Sequence, residues 1–570
     1  MRKVNSNPDT HKNVSMLAIL TLVVGLLLII RFGQLMISKT VNNVDLVEYG
    51  QDNENRSSIT EARRGTIFDK NGQPIAMDTT SYSMYAVLNS SWDNNVVKDP
   101  DFTASVLSQF VDLSHDQLLD ILLTPDVSQV EFGNAGRHLS PEVKELIESQ
   151  QIPGIQFETH TVRQYVNDYF ASHLIGYAVP ELNEDFQMDL LTGQIGIEKS
   201  LDSVLSGEKQ YLTNLENNIT ADYLAGDDIY LTLDARLQNY MEESLSRSFE
   251  RYQPEEISAY LVEVDSGKLI TAAQRPSFNL NTRDGIEAKW TNMLVEEAFE
   301  PGSTIKILTM ATAYDLNLYQ PGETFMSGAV EVYDQIVRDY NLVGWGEITF
   351  DEGLARSSNV GMVELVQRMG EDKWIEQLAN LGFGHSTESG LPNETIGSLQ
   401  FDNPVSKIMS GFGQGFAASP MQLLQAYTSI GNEGKQMKIQ FVNGIGTNTA
   451  NAYESQMLGQ PISAEAANHV LQLMVNAVEE SYGTAQDFKN KNINIAAKTG
   501  TAQIADPNGL GYLTGPHDYY FSVVSFFPAE DPQYMLYLSM KRPQNPQGRT
   551  GSQILAEIFH PFVENVMINQ

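Results

Sequence analysis

Residues 257–274, "ISAYLVEVDSGKLITAAQ", decide the architecture of the larger part of the chain. Two runs rich in β-branched and aromatic residues flank Asp265-Ser266-Gly267, which is the turn chemistry of a β-hairpin. Just upstream, "YLAGDDIYLTLDARLQNYMEESLSRSFERY" (223–252) passes from a turn-rich segment into the alternating strand "IYLTL". Asp234 then caps a long amphipathic helix. Further strands come only late, in "NINIAAKTGTAQIA" (492–505), "YYFSVVSFFPA" (519–529) and "QYMLYLSMKRP" (533–543), and "GSQILAEIFHPFVENVM" (551–567) closes the chain as a helix. Strands early and late with helices between predict a mainly antiparallel sheet that both ends of one domain build, an α+β arrangement.

At 570 residues the chain exceeds one ordinary domain. The composition is globular, with 42% hydrophobic and 19% charged residues. Against 36 Lys+Arg stand 72 Asp+Glu, a formal charge of −36, so no basic excess exists to engage nucleic acid. Cysteine is absent, which excludes disulfides, a thiol nucleophile and thiolate metal sites. The nine histidines fall at no ligand-like spacing. A nucleophile in this chain therefore has to find its base elsewhere.

The first residues, "MRKVNSNPDTHKNVSMLAILTLVVGLLLIIRFGQLMIS", set Arg2, Lys3 and Lys12 before an apolar run. The residues after that run suit a signal peptidase poorly, and about 20 residues is the span of a bilayer. We expect a cytoplasmic tail over 1–14, a retained membrane anchor over 15–37 and the rest of the chain outside the cell membrane, by the positive-inside bias. Residues 38–60 read as a polar stalk. The region from about Glu61 to Asp228 mixes strands such as "SYSMYAVL" with helices such as "SPEVKELIES". The expected domains are thus 38–228, a mixed pedestal, and 229–570.

"AFEPGSTIKILTMATAYDL" (298–316) places Ser303 after Pro-Gly at the mouth of an apolar helix, with Lys306 three residues on. Both side chains rise from one face of the first turn. The helix N-terminus favours an oxyanion, and a buried lysine loses its charge readily enough to serve as a base. Taken alone, Ser303 would be a helix cap and Lys306 a surface residue. Ser-x-x-Lys recurs at Ser206–Lys209 in a polar turn, and Ser-x-Asn recurs at Ser277–Asn279. "ARSSNVGMVEL" (355–365) adds Ser357 and Asn359 at the start of another helix. "IAAKTGTAQIA" (495–505) adds Lys498, Thr499, Gly500 and Thr501 on a small-residue strand, alongside which an extended substrate could lie. The ordered set is far more specific than any member.

With that set in place, the chain resembles the class B penicillin-binding proteins, the monofunctional peptidoglycan transpeptidases. "ARRGTIFDKNGQPIA" (62–76) is similar to the family's Arg-Gly-x-Ile-x-Asp-x-x-Gly signature at Arg64–Gly72, and "GQIGIEKSLDSVLSG" (193–207) to the end of its N-terminal module. "SGFGQGFAASPMQLLQAYTSI" (410–430) and "KTGTAQIADPNGLGYLTG" (498–515) resemble most the division-specific branch of Gram-positive bacteria. Only 570 − 501 = 69 residues follow Thr501, which leads us to expect none of the C-terminal PASTA repeats of many members. The resemblance implies a β-lactamase-like transpeptidase domain with an antiparallel sheet flanked by helices. It implies Ser303 as acylated nucleophile, Lys306 as base and Ser357 as proton relay. Asn359, Lys498, Thr499, Gly500 and Thr501 would bind stem peptides ending in D-Ala-D-Ala, or β-lactams in their place. No metal or organic cofactor is required. The implied partners are a lipid-linked glycan polymerase and division proteins at the membrane. An elongation-type transpeptidase, a D,D-carboxypeptidase and a division scaffold stand as alternatives. A class A β-lactamase is disfavoured because no Glu-x-x-Leu-Asn segment supplies a deacylating glutamate.

Overall fold

The computed structural model describes residues 63–568 apart from 90–94, 183–187, 214–218, 402, 447–452 and 507–510, together with Leu26, 40–41 and 44–45. The expected anchor over 15–37 lies outside the described residues save Leu26. Among the described residues no helix is long and apolar enough to cross a membrane. One compact unit holds residues 63–207 and 225–570; a second, smaller one contains residues 1–62 and the antiparallel pair Glu208–Thr213 and Ile219–Leu224.

In the large unit the first layer is a six-stranded sheet. Strand β1 (Ile67–Phe68) turns into the long β2 (Pro74–Val87), which pairs with β3 (Gln129–Glu131) and with β4 (Ile155–Tyr165). The helices Pro100–Leu107, His115–Leu122 and Pro141–Ser149 open on Asp99, Ser114 and Ser140, each side chain accepting a first-turn N–H. Their apolar stripes close over Met84 and Ala86 of β2, forming a core of Leu107, Leu118, Leu122 and Ile147.

Strand β5 (Ile229–Leu231) joins this sheet, parallel to β1 on one side and antiparallel to Val442–Ile445 on the other. The expected boundary after residue 228 thus falls at a strand shared by both parts. Side chains fix the same seam. The N–H of Lys70 donates to the Leu233 carbonyl at 2.9 Å, and its Nζ meets Asp234 Oδ2 at 3.0 Å. The N–H of Ala235 donates to Asp69 Oδ2 at 3.2 Å. The signature around Asp69 is therefore a clamp on the start of the next helix.

That helix, α1 (Ala235–Tyr252), is capped by Asp234 as its sequence predicts. The quoted hairpin follows as β6 (Glu256–Glu263) and β7 (Leu269–Arg275). The late strands β8 (Ala496–Gln503), β9 (Tyr519–Phe527) and β10 (Tyr534–Lys541) complete an antiparallel sheet in the order β7-β6-β10-β9-β8. Alternation along β6 sends Ile257, Ala259 and Leu261 to one face, where α1 and the C-terminal helix α2 (Gly551–Ile568) cover them. Tyr260 and Val262 face the opposite side, against the helices of the middle of the chain. Burial on both faces explains why these strands read as continuous apolar runs. Strand β8 is left at an edge, and the serine turn packs beside it.

Candidate active site

Ser303 lies in the short 3-10 turn Gly302–Ile305, and the α-helix proper begins at Lys306 (Lys306–Asp315). Three contacts hold the turn from behind. The N–H of Gly302 donates to the Gly413 carbonyl at 3.0 Å, Thr304 Oγ1 donates to the Pro301 carbonyl at 2.9 Å, and the buried Tyr427 hydroxyl donates to Thr304 Oγ1 at 2.8 Å. Gly413 has φ 90°, and a Cβ there would sit 1.9 Å from the Gly302 carbonyl oxygen. The Gly-rich segment after Ser410 therefore has to be glycine where it crosses the serine turn.

Lys306 is fully buried. Its Nζ lies 2.7 Å from the Ser357 carbonyl, 3.2 Å from Ser357 Oγ and 2.8 Å from Asn359 Oδ1. Burial, and then the field of Lys498, hold its pKa well below the ordinary lysine value, against an opposing pull from Asp339. A neutral amine retains two N–H donors and one lone pair. The Ser357 carbonyl and Asn359 Oδ1 can take the donors, leaving the lone pair for a hydroxyl proton.

Lys498 reaches the same hydroxyl from the sheet. Its Nζ donates to Ser357 Oγ at 2.9 Å and to the Thr499 carbonyl at 2.8 Å, and burial lowers its pKa to about 7. Gly500, two residues on, shares this face of β8; a Cβ there would come within 2.4 Å of Ser522 Oγ and 3.1 Å of Thr304 Cγ2. Thr499 faces the other way, with Oγ1 on Thr484 Oγ1 at 3.3 Å. Of the strand residues expected to bind the stem peptide, Thr501 alone is exposed.

The structure thus brings Ser303, Lys306, Ser357, Asn359, Lys498 and Gly500 to one place, where an unusual backbone presents Ser357 with φ 59°. Sequence reasoning did not anticipate three further residues. Asp339 caps the Ser357–Asn359 turn from below. Ser358 is the cap of the helix Asn359–Met369. Glu300, three residues before Ser303, accepts from the Gly415 N–H at 2.8 Å and the Tyr512 hydroxyl at 3.1 Å, with burial pushing its pKa up. Asp339 and Glu300 act across long sequence separations, so no local pattern marks them.

A Ser-x-x-Lys with its lysine buried, beside an edge strand carrying Lys-Thr-Gly, defines a serine acyltransferase site. Residues 257–564 match the family model for the penicillin binding protein transpeptidase domain, and residues 59–226 match that for the penicillin-binding protein dimerisation domain. The chain belongs to the penicillin-binding protein transpeptidases, in the class B arrangement of these two domains. Among solved structures it is similar to penicillin binding protein 2X from Streptococcus thermophilus, 30% identical with a TM-score of 0.77 over 90% of this chain and 80% of that one. Among curated proteins it is 26% identical to the stage V sporulation protein D of Bacillus subtilis, covering 99% of this chain and 86% of that protein. It is 25% identical to the peptidoglycan D,D-transpeptidase FtsI of Escherichia coli, covering 92% and 86%.

Proposed function

We propose that the protein cross-links peptidoglycan stem peptides as a serine D,D-transpeptidase, with β-lactams acylating the same serine. The observation that carries this reading is Lys306, fully buried one turn beyond Ser303, with its Nζ on Ser357 and Asn359. Ser303 attacks the carbonyl between the last two D-alanines of a donor stem, and Lys306 takes its proton. Ser357, between the two lysine amines, relays that proton to the departing D-alanine amine. The N–H groups of Ser303 and Thr501 stabilise the tetrahedral oxyanion, each donor contributing on the order of 3 kcal/mol. Asn359 and the edge of β8 align the donor peptide, Thr501 receives its terminal carboxylate, and Lys498 keeps the local field positive. The amine of a neighbouring stem then takes the acyl group.

The reading includes a single-pass anchor over residues 15–37, with the N-terminus in the cytoplasm and the catalytic domain outside the cell membrane. Residues 38–228 form a non-catalytic pedestal, and 229–570 the catalytic domain. Its setting is septal wall synthesis, beside a lipid-linked glycan polymerase and division proteins. The test is mass spectrometry of the purified protein after penicillin treatment, with the adduct mapped to a peptide. A long-lived adduct on the Ser303 peptide is expected. An adduct elsewhere, or one lost within seconds, would overturn the reading.

A further inference from the structure

Asp339 is wholly buried beneath the Ser357–Asn359 turn, although it belongs to another element, the loop after the hairpin strand Gln335–Arg338. Its Oδ1 accepts three donors: Ser358 Oγ at 2.8 Å, the Asn359 N–H at 2.8 Å and the Val360 N–H at 3.1 Å. Its Oδ2 accepts the Gly328 N–H at 2.8 Å. The preceding carbonyl, of Arg338, takes Asn359 Nδ2 at 3.0 Å. Asn359 is thereby held at both ends, since its Oδ1 already faces Lys306 Nζ.

This arrangement exceeds what a helix cap requires. Ser358 already caps the helix, accepting the Gly361 N–H at 3.1 Å. A carboxylate at a helix N-terminus is itself stabilised by the macrodipole. Ser357 occupies the left-handed region at φ 59°, a conformation that is unfavourable for a non-glycine residue and persists only where its surroundings impose it. Among the described residues the charged groups acting on Lys306 are Lys498, which repels its ammonium form, and Asp339, which attracts it.

We propose that Asp339 is a positioning residue for acyl transfer: one buried carboxylate imposes the left-handed Ser357 and the two-ended Asn359 on Lys306, and its charge offsets the repulsion that Lys306 meets from Lys498. The proposal rests on the transpeptidase reading of the site. Without the carboxylate, the Ser357 carbonyl and hydroxyl and Asn359 Oδ1 lose their fixed geometry about Lys306 Nζ. The base also loses the one negative charge that offsets Lys498.

The test measures penicillin acylation of the purified protein across pH for wild type, Asp339→Asn and Ser358→Ala, with thermal melts of each. Asp339→Asn is expected to slow acylation at its pH plateau about tenfold or more, the equivalent of one charge-assisted hydrogen bond. The acid limb of its profile is expected to shift to lower pH, because the Lys306 ammonium form loses its one attractive neighbour. Ser358→Ala keeps the charge and removes one bond to Oδ1. It is expected to slow acylation a few-fold, with the acid limb where wild type has it. A folded Asp339→Asn whose acid limb stays in place overturns the proposal, because a purely structural cap would leave that limb unmoved. If Asp339→Asn does not fold, Ser358→Ala decides: acylation at the wild-type rate overturns the proposal. Failure of the wild-type protein to be acylated at Ser303 overturns the transpeptidase reading instead, so the two failures are distinguishable.

Discussion

Opposite rules govern two of the groups of cations buried in this molecule. In the dimerisation domain proposed as a pedestal, Arg64 and Arg163 flank Glu198, at 2.7 and 2.8 Å, with Asp202 2.7 Å from Arg64 and Asp78 3.0 Å from Arg163. Three carboxylates answer two guanidinium groups, and the remaining N–H donors go to the carbonyls of Gly65, Leu191 and Glu198. Burial works against the charge of Arg163, yet Glu198, Tyr165 and Asp78 outweigh it and raise its pKa. In the active site, Lys306 and Lys498 share one serine hydroxyl, Asp339 draws only Lys306 toward its charged form, and both pKa values fall. Arginine forks paired with carboxylates make a fixed joint. Lysines buried with only neutral groups in hydrogen-bond contact yield a base that can give up its proton.

The largest expected effect breaks the second group by giving it the residue of the first. Lys306→Arg keeps a cation that cannot lose its proton. Loss of a general base costs a factor on the order of a thousand. Acylation by penicillin should fall by about that much or more, followed by mass spectrometry against time, while thermal melting shows a folded protein. Acylation within a few-fold of wild type would remove Lys306 as the base.

The first group breaks differently. Glu198→Ala leaves two buried guanidinium groups with less than their share of negative charge, and uncompensated burial of this kind costs about 3–5 kcal/mol. The melting temperature should drop sharply, while the protein that stays folded is acylated at an undiminished rate. A loss of acylation without a loss of stability would show that the pedestal acts on the active site directly.

The contrast also separates what was legible in the sequence from what was not. Ser303 and Lys306 lie within one helical turn, so their spacing carries their geometry, and the Lys498–Thr501 strand carries its alternation. The hairpin and the three late strands likewise announced a sheet whose pairing the structure supplies. Side-chain direction was less legible. Lys498 and Thr499 are neighbours in one motif, and the strand turns one toward Ser357 and the other toward Thr484. Glu198 and Asp339 were illegible, because each meets its partners across long sequence separations. Strand β5 read as a boundary because the turn before it is local, whereas its partners Ile67–Phe68 and Val442–Ile445 lie far off in sequence.

The smallest effect sharpens the comparison through pH. Lys498 has a pKa of about 7 in the folded protein, against an ordinary value of 10.5. Between those values the unfolded chain binds more protons at this site than the folded one, so stability rises with pH across the window. Below about pH 7 both states are protonated, and the folded protein bears the full cost of a buried ammonium. Above about 10.5 neither state is, and the cost is gone. Lys498→Met removes the group from both states, so the variant should be stabilised most below about pH 7, with its advantage shrinking as pH rises. Relief of Lys306 adds to that advantage at low pH, because its ammonium form no longer meets a like charge in the folded protein. The difference between the two melting-temperature profiles isolates Lys498 from the other titrating groups. A difference that stayed flat from about pH 7 to pH 10 would mean that Lys498 is buried as a charged group. The active-site lysines would then follow the same rule as the pedestal arginines.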